Sequence, residues 1–438
     1  MNKIIYWSIT VSLAGFLFGF DTAVISGADR PIQDLWGLAP FDHGLWIMSS
    51  ALWGTVIGAL SANIPCDNLG RKKTLIFVGI LFLLSALGSA LAPDPMSFSI
   101  LRFIGGIGVG ISSIVVPAYI SEIAPANHRG RLAAMYQFQI VFGILIAFIS
   151  NYVISLLVGL EWRVMLALEV VPALAYLAMV VGIKESPRWL ITKKGDVEQA
   201  RFIMQELGMD NVDKQIADIQ RDAEYHSSPN LFVKTNYIPI LLAVLIAVFN
   251  QLSGINFIMY FAPRVFELAG LDASSALLST AGVGLTNLIF TMLGVYLIDR
   301  SGRKNLMVIG SLGYISSLAV VSYAFFADLG GMTVAFFIFM FIASHAIGQG
   351  AVIWVFIAEI FPNQVRTAGL SLGCGTHWVF AALITLLMPL VISVFEPWVI
   401  FGFFSGMMIL QFFWVIFIMP ETKGKSLEAV SDSLLHKG

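Results

Sequence analysis

Charged residues are scarce in this sequence. Lys, Arg, Asp and Glu make up 12% of its 438 residues, whereas soluble globular chains carry roughly 25%. Cysteine is also rare, and Cys66 and Cys374 are too few to form a disulfide framework. The low charge content excludes an ordinary soluble protein.

The sequence also lacks the motifs of common catalytic and binding sites. We find no cluster of metal ligands, no nucleophile next to a base, no Walker motif and no basic patch with interleaved aromatic residues. We therefore predict that the protein is not an enzyme and needs no metal or other cofactor. We also predict that it does not bind nucleic acid or draw energy from ATP.

Hydrophobic residues account for 58% of the chain and occur in long runs. Because about 20 apolar residues in a helix cross a bilayer, each run predicts one membrane span. The predicted fold class is an all-α polytopic membrane protein, with the lipid bilayer as a partner. No small-residue cleavage site follows the first run, so we predict a retained span and not a signal peptide. The twelve runs lie at about 4–28, 43–65, 74–92, 97–122, 132–157, 162–183, 237–267, 273–298, 305–327, 332–360, 367–395 and 397–419.

Lysine and arginine residues are distributed unevenly between the predicted loops. If the N-terminus faces the cytoplasm, all but four of the 25 Lys and Arg residues lie in cytoplasmic loops and tails. Because such loops are enriched in positive charge, we predict that both termini are cytoplasmic. The short loops and compact termini favour a bacterial inner membrane.

The two halves of the sequence repeat each other. Such a parallel repeat of six spans is typical of transporters that bind their substrate near the membrane midplane, between the halves. The three repeated motifs begin at Asp67 and Asp299, at Glu122 and Glu359, and at Glu185 and Pro420. We predict an N-terminal six-helix half at 1–184, a cytoplasmic linker with short helices at 185–236, a C-terminal six-helix half at 237–420 and a cytoplasmic tail at 421–438.

Asp21 lies well inside the first apolar run. An aspartate at the centre of a membrane helix costs about 2.5–3.5 kcal/mol on insertion scales, so it needs a partner or a function. Arg102, inside the fourth run, is the predicted partner. A proton on Asp21 would release Arg102, which makes the pair a proton-coupling switch; alternatively, the pair only fixes the packing of two spans. Glu169 is a second intramembrane acid, which relays protons or tunes Asp21 through like charge; the alternative is a neutral acid that is hydrogen-bonded within the bundle.

Several motifs resemble those of the sugar porter family of the major facilitator superfamily. They are Gly-Arg-Lys after spans two and eight, Glu followed by Arg-Gly-Arg after span four, Glu185-Ser-Pro-Arg-Trp-Leu, Gln251-Leu-Ser-Gly-Ile-Asn256 and Pro420-Glu-Thr-Lys-Gly. The last three together are specific to sugar porters. The resemblance implies twelve transmembrane helices in two six-helix halves with a cytoplasmic helical linker. It also implies a secondary active transporter that imports a neutral monosaccharide or polyol with a proton by alternating access, and proton-coupled members carry acids at the positions of Asp21 and Glu169.

Amide and aromatic side chains inside the predicted spans suit a sugar. Each amide offers hydrogen-bond donors and an acceptor without a charge, and aromatic faces suit the apolar side of a pyranose ring. The resemblance implies sugar contacts at these positions; the alternative is that the amides only join helices. The predicted substrate-binding residues are Phe18, Gln137, Asn250, Gln251, Asn256, Tyr260, Asn287, Trp354, His377 and Trp378.

Three positions depart from the family pattern. The chain has Asn-Gln at 250–251 where the family usually has Gln-Gln, and Tyr-Phe at 260–261 where it often has Tyr-Tyr. It has His377 where relatives carry Asn or Gln. These differences change the hydroxyl pattern that the site would recognise, so they leave the identity of the sugar open. We expect His377 to be a neutral donor or acceptor, and a titrating role is the alternative.

Charged residues cluster at the predicted cytoplasmic ends of the spans. We expect ion pairs among them to hold the cytoplasmic side shut when the other side is open; the alternative is that they only set the topology. Because an exposed ion pair contributes about 0–1 kcal/mol, only a network would bias the equilibrium. The predicted gate residues are Arg71, Glu122, Arg129, Arg131, Glu185, Arg303, Glu359 and Arg366.

Other functions compete with proton-coupled import by a functional monomer. A facilitative uniporter would move the same substrates without protons, and Asp21 argues against it. A sensor would bind sugar without transport, but sensors of this family tend to carry long cytoplasmic tails, and the tail here is short. An exporter of apolar compounds would not need an amide-rich cavity.

Overall fold

The regular structure of the chain is helical. A computed structural model describes residues 2–125, 129–224, 230–362 and 364–425, and over these residues it contains no strand. Eleven helices in this part are long and apolar enough to cross a membrane, or twelve if one bent pair counts as a single span. The predicted all-α, twelve-span layout is confirmed.

The first six spans differ in how regular they are. The first span is longer than predicted because the helix continues past the apolar run through charged residues to Trp36. The second span begins with Pro40–Asp42 and the π-helical segment His43–Met48, which is bent by 41° against the helix that follows. The spans are α1 Asn2–Trp36, α2 Ser50–Ser61, α3 Arg71–Leu91, α4 Pro95–Ile123, α5 Arg129–Val158 and α6 Trp162–Val180, the last divided into Trp162–Ala167 and Val170–Val180.

Short helices follow the sixth span, as predicted. The Asp196 side chain caps one of them by accepting a hydrogen bond from the backbone N–H of Gln199 at 3.0 Å. Their apolar faces bury Ile203, Met204 and Ile216 against the core that α3 and α4 also form. The helices are Pro187–Trp189, the π-helical Leu190–Lys194, Val197–Glu206, Val212–Glu224 and the 3₁₀ turn Lys234–Asn236; Asn63–Leu69 is a further short helix after α2.

Two of the last six spans are interrupted. The seventh span breaks at Ser253–Gly254. Gly254 has a φ of +83°, a backbone angle that residues with a side chain rarely adopt. The tenth contains the π-helical turn Ala346–Gly350 between the helices Met332–His345 and Ala351–Ile360. The spans are α7 Tyr237–Leu268, in two pieces Tyr237–Leu252 and Ile255–Leu268, α8 Ala273–Ser301, α9 Arg303–Phe326, α10 Met332–Ile360, α11 Arg366–Val394 and α12 Pro397–Phe417.

Contacts divide the chain into two compact units. The first consists of Met1–Thr22, Ser50–Ile144 and Leu166–Ser228, and the second of Ala23–Ser49, Leu145–Met165 and Pro229–Gly438. Each unit has its own apolar core. Helix α1 contributes to both, because its residues up to Thr22 belong to the first unit and those from Ala23 to the second. The division predicted from the sequence, with boundaries at 184, 236 and 420, stays a prediction.

Glycine allows α2 and α4 to approach each other closely within the first unit. A β-carbon at Gly106 would overlap the backbone carbonyl of Ala51, and one at Gly54 would overlap the carbonyl of Phe103. Small residues at such a crossing let the two backbones come into contact, which is a common way of packing helices in lipid. Steric exclusion therefore requires glycine at both positions.

We expect Gly106→Ala to destabilise the protein by roughly 1–3 kcal/mol, because the added methyl group must push α2 and α4 apart. The matched control is Gly406→Ala on α12, where no atom lies near the added carbon. That change should be neutral or slightly stabilising, since alanine is the better helix former. Thermal unfolding of the purified proteins in detergent measures both, and equal unfolding temperatures would contradict the packing argument.

Candidate functional site

A buried ion pair joins α1 to α4. The side chains of Asp21 and Arg102 are about 2% exposed, and the Arg102 Nη1 group donates to Asp21 Oδ1. Arg102 Nη2 also donates to the backbone carbonyl of Asp21 at 2.9 Å. Because a charge away from water is tolerated only with a partner, each group depends on the other. Loss of the charge on Asp21 would therefore leave Arg102 with only its contact to the Asp21 backbone carbonyl.

Glu169 lies beside this pair. It occupies the break in α6 between Ala167 and Val170, it is 1% exposed, and it interacts electrostatically with Asp21 and Arg102. Its carboxyl group lies close enough to Asp21 for the two acids to interact directly. Two carboxyl groups thus share the field of one guanidinium group.

Amide side chains on α7 meet at the break in that helix. The Gln251 amide nitrogen donates to Asn250 Oδ1 at 3.1 Å, and Asn256 Nδ2 donates to Gln251 Oε1 at 2.8 Å. In an uninterrupted helix, residues five apart would point about 140° away from each other. The turn at Gly254 instead brings the side chains of Gln251 and Asn256 to the same side. The break therefore assembles the amide cluster.

Aromatic residues extend the cluster to α10 and α11. The Gln251 amide nitrogen lies 3.2 Å from His377 Nδ1, and the His377 ring lies 4.9 Å from the rings of both Trp354 and Trp378 in edge-on geometry. Trp354 and His377 are half-buried, whereas Gln251 is fully buried. The result is a cluster of polar side chains beside aromatic rings, which suits a ligand with many hydroxyl groups and an apolar face.

The structure gathers six of the ten predicted substrate-binding residues into this cluster of the second unit. Of the others in that unit, Tyr260 is buried in the second piece of α7, and Asn287 on α8 accepts a hydrogen bond from the Thr291 hydroxyl at 3.2 Å. Phe18 and Gln137 belong to the first unit, on α1 and α5, and both are half-buried. Their role in binding stays a prediction.

A charge network in the first unit links the start of α3 to the end of α4. Arg71 makes a two-pronged contact with Glu122, with nitrogen–oxygen distances of 2.9 and 3.1 Å. Glu185 accepts the backbone N–H groups of Arg71 and Lys72 at 2.8 and 3.1 Å. Glu185 thus caps the first turn of α3, where free N–H groups and the helix dipole favour a negative charge.

The second unit contains the same network at the start of α9. Arg303 contacts Glu359 at 2.7 and 3.1 Å, and Glu421 accepts the backbone N–H groups of Arg303 and Lys304, both at 3.0 Å. The motifs that repeat in the sequence therefore make equivalent contacts in the two units. Arg366 donates instead to the backbone carbonyl of Phe361 at 3.4 Å, and the side chains of Arg129 and Arg131 lie outside the described residues.

The second unit contains a buried ion cluster that was not predicted from the sequence. At the α1 end remote from the N-terminus, Asp29 pairs with Arg264 of α7 at 2.8 Å and with His43 Nε2 at 2.7 Å. Gln33 accepts a further hydrogen bond from Arg264 at 2.7 Å. These residues join α1 to α7 and to the π-helical segment before α2. The available signal was Arg264, which interrupts an apolar run, but only the packing reveals its partner.

Comparison with known proteins agrees with the fold. The family model described as "Sugar (and other) transporter" matches residues 7–434. The chain is 34% identical to the arabinose-proton symporter of Bacillus subtilis (strain 168), over 98% of this chain and 95% of that protein, and 33% identical to the D-xylose-proton symporter of Escherichia coli (strain K12), over 98% and 95%. It is 31% identical to the inward-open structure of the xylose transporter XylE from E. coli, with a TM-score of 0.87 over 98% and 99% of the two chains.

The twelve-span fold, together with the match to known transporters, defines a multi-pass membrane transporter of the major facilitator type. The match to the family model covers nearly the whole chain and therefore identifies the family. This chain belongs to the sugar transporter family, as its motifs predicted.

We expect Glu421→Gln to lower the unfolding temperature at pH 7 by a few degrees. Burial raises the pKa of Glu421, but hydrogen bonds from the backbone N–H groups of Lys423, Arg303, Lys304 and Thr422 outweigh this effect and lower the pKa below 4.5 overall. A lowered pKa stabilises the folded protein above the unfolded-state value, and this contribution disappears as the pH falls through the folded-state value.

The difference between wild type and Glu421→Gln should therefore shrink as the pH is lowered below 4.5. The control is Glu396→Gln, since Glu396 is exposed between α11 and α12 and makes no side-chain cap. It should change the unfolding temperature little at either pH. A pH-independent difference for Glu421→Gln would count against the capping role.

Proposed function

We propose that this protein imports a neutral monosaccharide or polyol together with a proton by alternating access. The observation that carries the proposal is the buried group of Asp21, Arg102 and Glu169, in which two acids share one arginine. The names of its relatives, an arabinose-proton and a D-xylose-proton symporter, support the same combination of sugar and proton.

In the proposed mechanism, the proton acts by neutralising Asp21. The proton binds the carboxylate that faces Arg102, directly or through Glu169, and the ion pair between α1 and α4 is lost. Arg102 then needs another partner or water, so the two helices favour a different arrangement. Release of the proton on the opposite side restores the pair. Sugar binding and proton binding are coupled if both favour the same arrangement.

The amide and aromatic cluster of α7, α10 and α11 is the proposed sugar site. Its side chains offer hydrogen-bond donors and acceptors, and its amide groups carry no formal charge, which favours a neutral polyhydroxylated ligand over an ionised one. Gln251 is central, because it contacts Asn250, Asn256 and His377 at once. A sugar that displaces any of these contacts must supply hydroxyl groups in their place.

We propose that the protein lies in a bacterial inner membrane with both termini in the cytoplasm. The positive charge of the predicted cytoplasmic loops supports this orientation. The ion cluster of Asp29, His43 and Arg264 then lies towards the outer face, where it ties α1 to α7. In this proposal, opening towards the outside separates the cluster, and hydration of the charges offsets the cost of breaking the ion pair.

The decisive experiment is to record external pH while sugars are added to cells that express the protein in weakly buffered medium. We expect one or a few of a panel of hexoses, pentoses and polyols to alkalinise the medium and to accumulate against a gradient. In Asp21→Asn, both signals should vanish, whereas exchange of labelled sugar should persist, because the binding cluster is intact.

The control is Asp34→Asn, which removes an exposed acid from the same helix and should leave accumulation unchanged. If Asp21→Asn still accumulates sugar against its gradient as well as the wild type does, the proposed coupling mechanism is wrong. Labelled sugar that equilibrates without a pH change in the wild type would identify a facilitator. Binding of a sugar with no flux at all would identify a sensor.

We expect Gln251→Ala and Trp354→Ala to weaken sugar binding by about tenfold, since each removes contacts worth roughly 0.5–1.5 kcal/mol apiece. Titration calorimetry on the purified protein measures the affinity. Gln199→Ala, which removes an exposed amide from the helix Val197–Glu206, is the control and should bind normally. If both site variants bind sugar with wild-type affinity, the cluster is not the sugar site.

A further inference from the structure

The π-helical turn Ala346–Gly350 of α10 is held by a residue of another helix. A π turn shifts the backbone hydrogen-bond pattern of a helix, and such turns are frequent at functional sites. The backbone N–H of Gln349 donates to the Tyr314 hydroxyl of α9 at 2.9 Å. Tyr314 is fully buried, so this hydroxyl supplies an acceptor for a backbone group that has no access to water.

The Gln349 side chain ties the same turn to α12. Its amide nitrogen donates to Gln411 Oε1, and Gln411 Nε2 donates to the Ser311 hydroxyl of α9 at 2.9 Å. All three side chains are fully buried. Four polar groups from α9, α10 and α12 therefore form one connected chain inside an apolar core, where unpaired polar groups are costly.

The helices α9 and α10 are almost in backbone contact at this turn. A β-carbon at Gly348 would stand 2.7 Å from the Tyr314 hydroxyl, and one at Gly310 would stand 2.9 Å from the Gly348 α-carbon. Glycine at both positions leaves room for the hydroxyl group of Tyr314 against the backbone of α10. The turn is thus fixed by steric fit as well as by hydrogen bonds.

The turn determines where Trp354 points. Trp354 follows in the next helical piece, Ala351–Ile360, and its ring contacts His377, which contacts Gln251. A π turn accommodates one more residue than an α turn, so relaxation to an α-helix would rotate the residues after it by about 100°. Such a rotation would remove the tryptophan from the aromatic wall of the amide cluster.

We infer that Tyr314, Gln349 and Gln411 are positioning residues, which hold the π turn of α10 and so keep Trp354 directed at the sugar. This inference rests on the proposed function for its effect on sugar binding. The orientation of residue 354 is a separate consequence that can be measured without any sugar. The chain of buried polar groups is not in the set of residues that the sequence motifs singled out.

The first test uses Tyr314→Phe, which removes one oxygen and leaves the ring. We expect sugar affinity to fall by about tenfold, because the Gln349 N–H loses its acceptor and the turn relaxes. Proton coupling through Asp21 should remain, so any sugar that still enters should still alkalinise the medium. Tyr323→Phe, on the same helix but exposed, is the matched control and should bind as the wild type does.

The second test separates positioning from simple stability. Gln349→Leu leaves Gln411 Oε1 without its donor, Gln411→Leu leaves the Gln349 amide nitrogen without its acceptor, and each change should lower the unfolding temperature. The double variant leaves no unpaired amide and should recover much of that loss. We expect its sugar affinity to stay low, because the tie to the turn is still missing. Recovery of affinity together with stability would overturn the inference.

The third test reads the orientation of residue 354 directly. In a background with Cys66→Ser and Cys374→Ser, the labelling rate of Trp354→Cys with a polar thiol reagent reports how accessible that position is to water. Adding Tyr314→Phe should change this rate severalfold, and Tyr323→Phe should not. An unchanged rate would refute the positioning role. A changed rate in a protein whose wild type binds no sugar would refute the proposed function and leave the positioning intact.

Discussion

The structure depends above all on the cost of burying charge in a low-dielectric interior. Asp21 and Arg102 pair between α1 and α4, where neither side chain has access to water, and Glu169 adds a second acid beside them. The same constraint explains the cluster of Asp29, His43 and Arg264. A pair of this kind has two states, paired or separated, and a proton or water can decide between them. That property is what a coupled transporter requires.

The contacts of the two charge networks show how far the internal repeat extends. In each unit an arginine at the start of a helix binds a glutamate, and a second glutamate caps the same helix. The polar cluster on α7, α10 and α11 is formed from the second unit alone. The repeated parts thus stabilise helix ends in the same way twice, whereas the proposed sugar site is built from features that are not duplicated.

Departures from regular α-helix coincide with side chains of the proposed sites. Glu169 occupies a break in α6, the turn at Gly254 joins Asn256 to Gln251, and the π turn of α10 precedes Trp354. Irregular backbone at membrane depth is tolerated where protein or a polar cavity surrounds it. Each departure frees a backbone group or redirects a side chain, so local irregularity and polar function occur together.

The sequence by itself determined the twelve spans, the linker helices and the family, because hydropathy, charge asymmetry and short motifs are local properties. It also indicated that Asp21 needed a partner, since a carboxylate in an apolar run is costly wherever the helix packs. Only the tertiary structure decided that Asp29 pairs with Arg264 and His43, and that Gln349 meets Gln411 and Tyr314. Those residues are far apart in the chain, and their pairing depends on which helix faces meet, which a linear pattern does not specify.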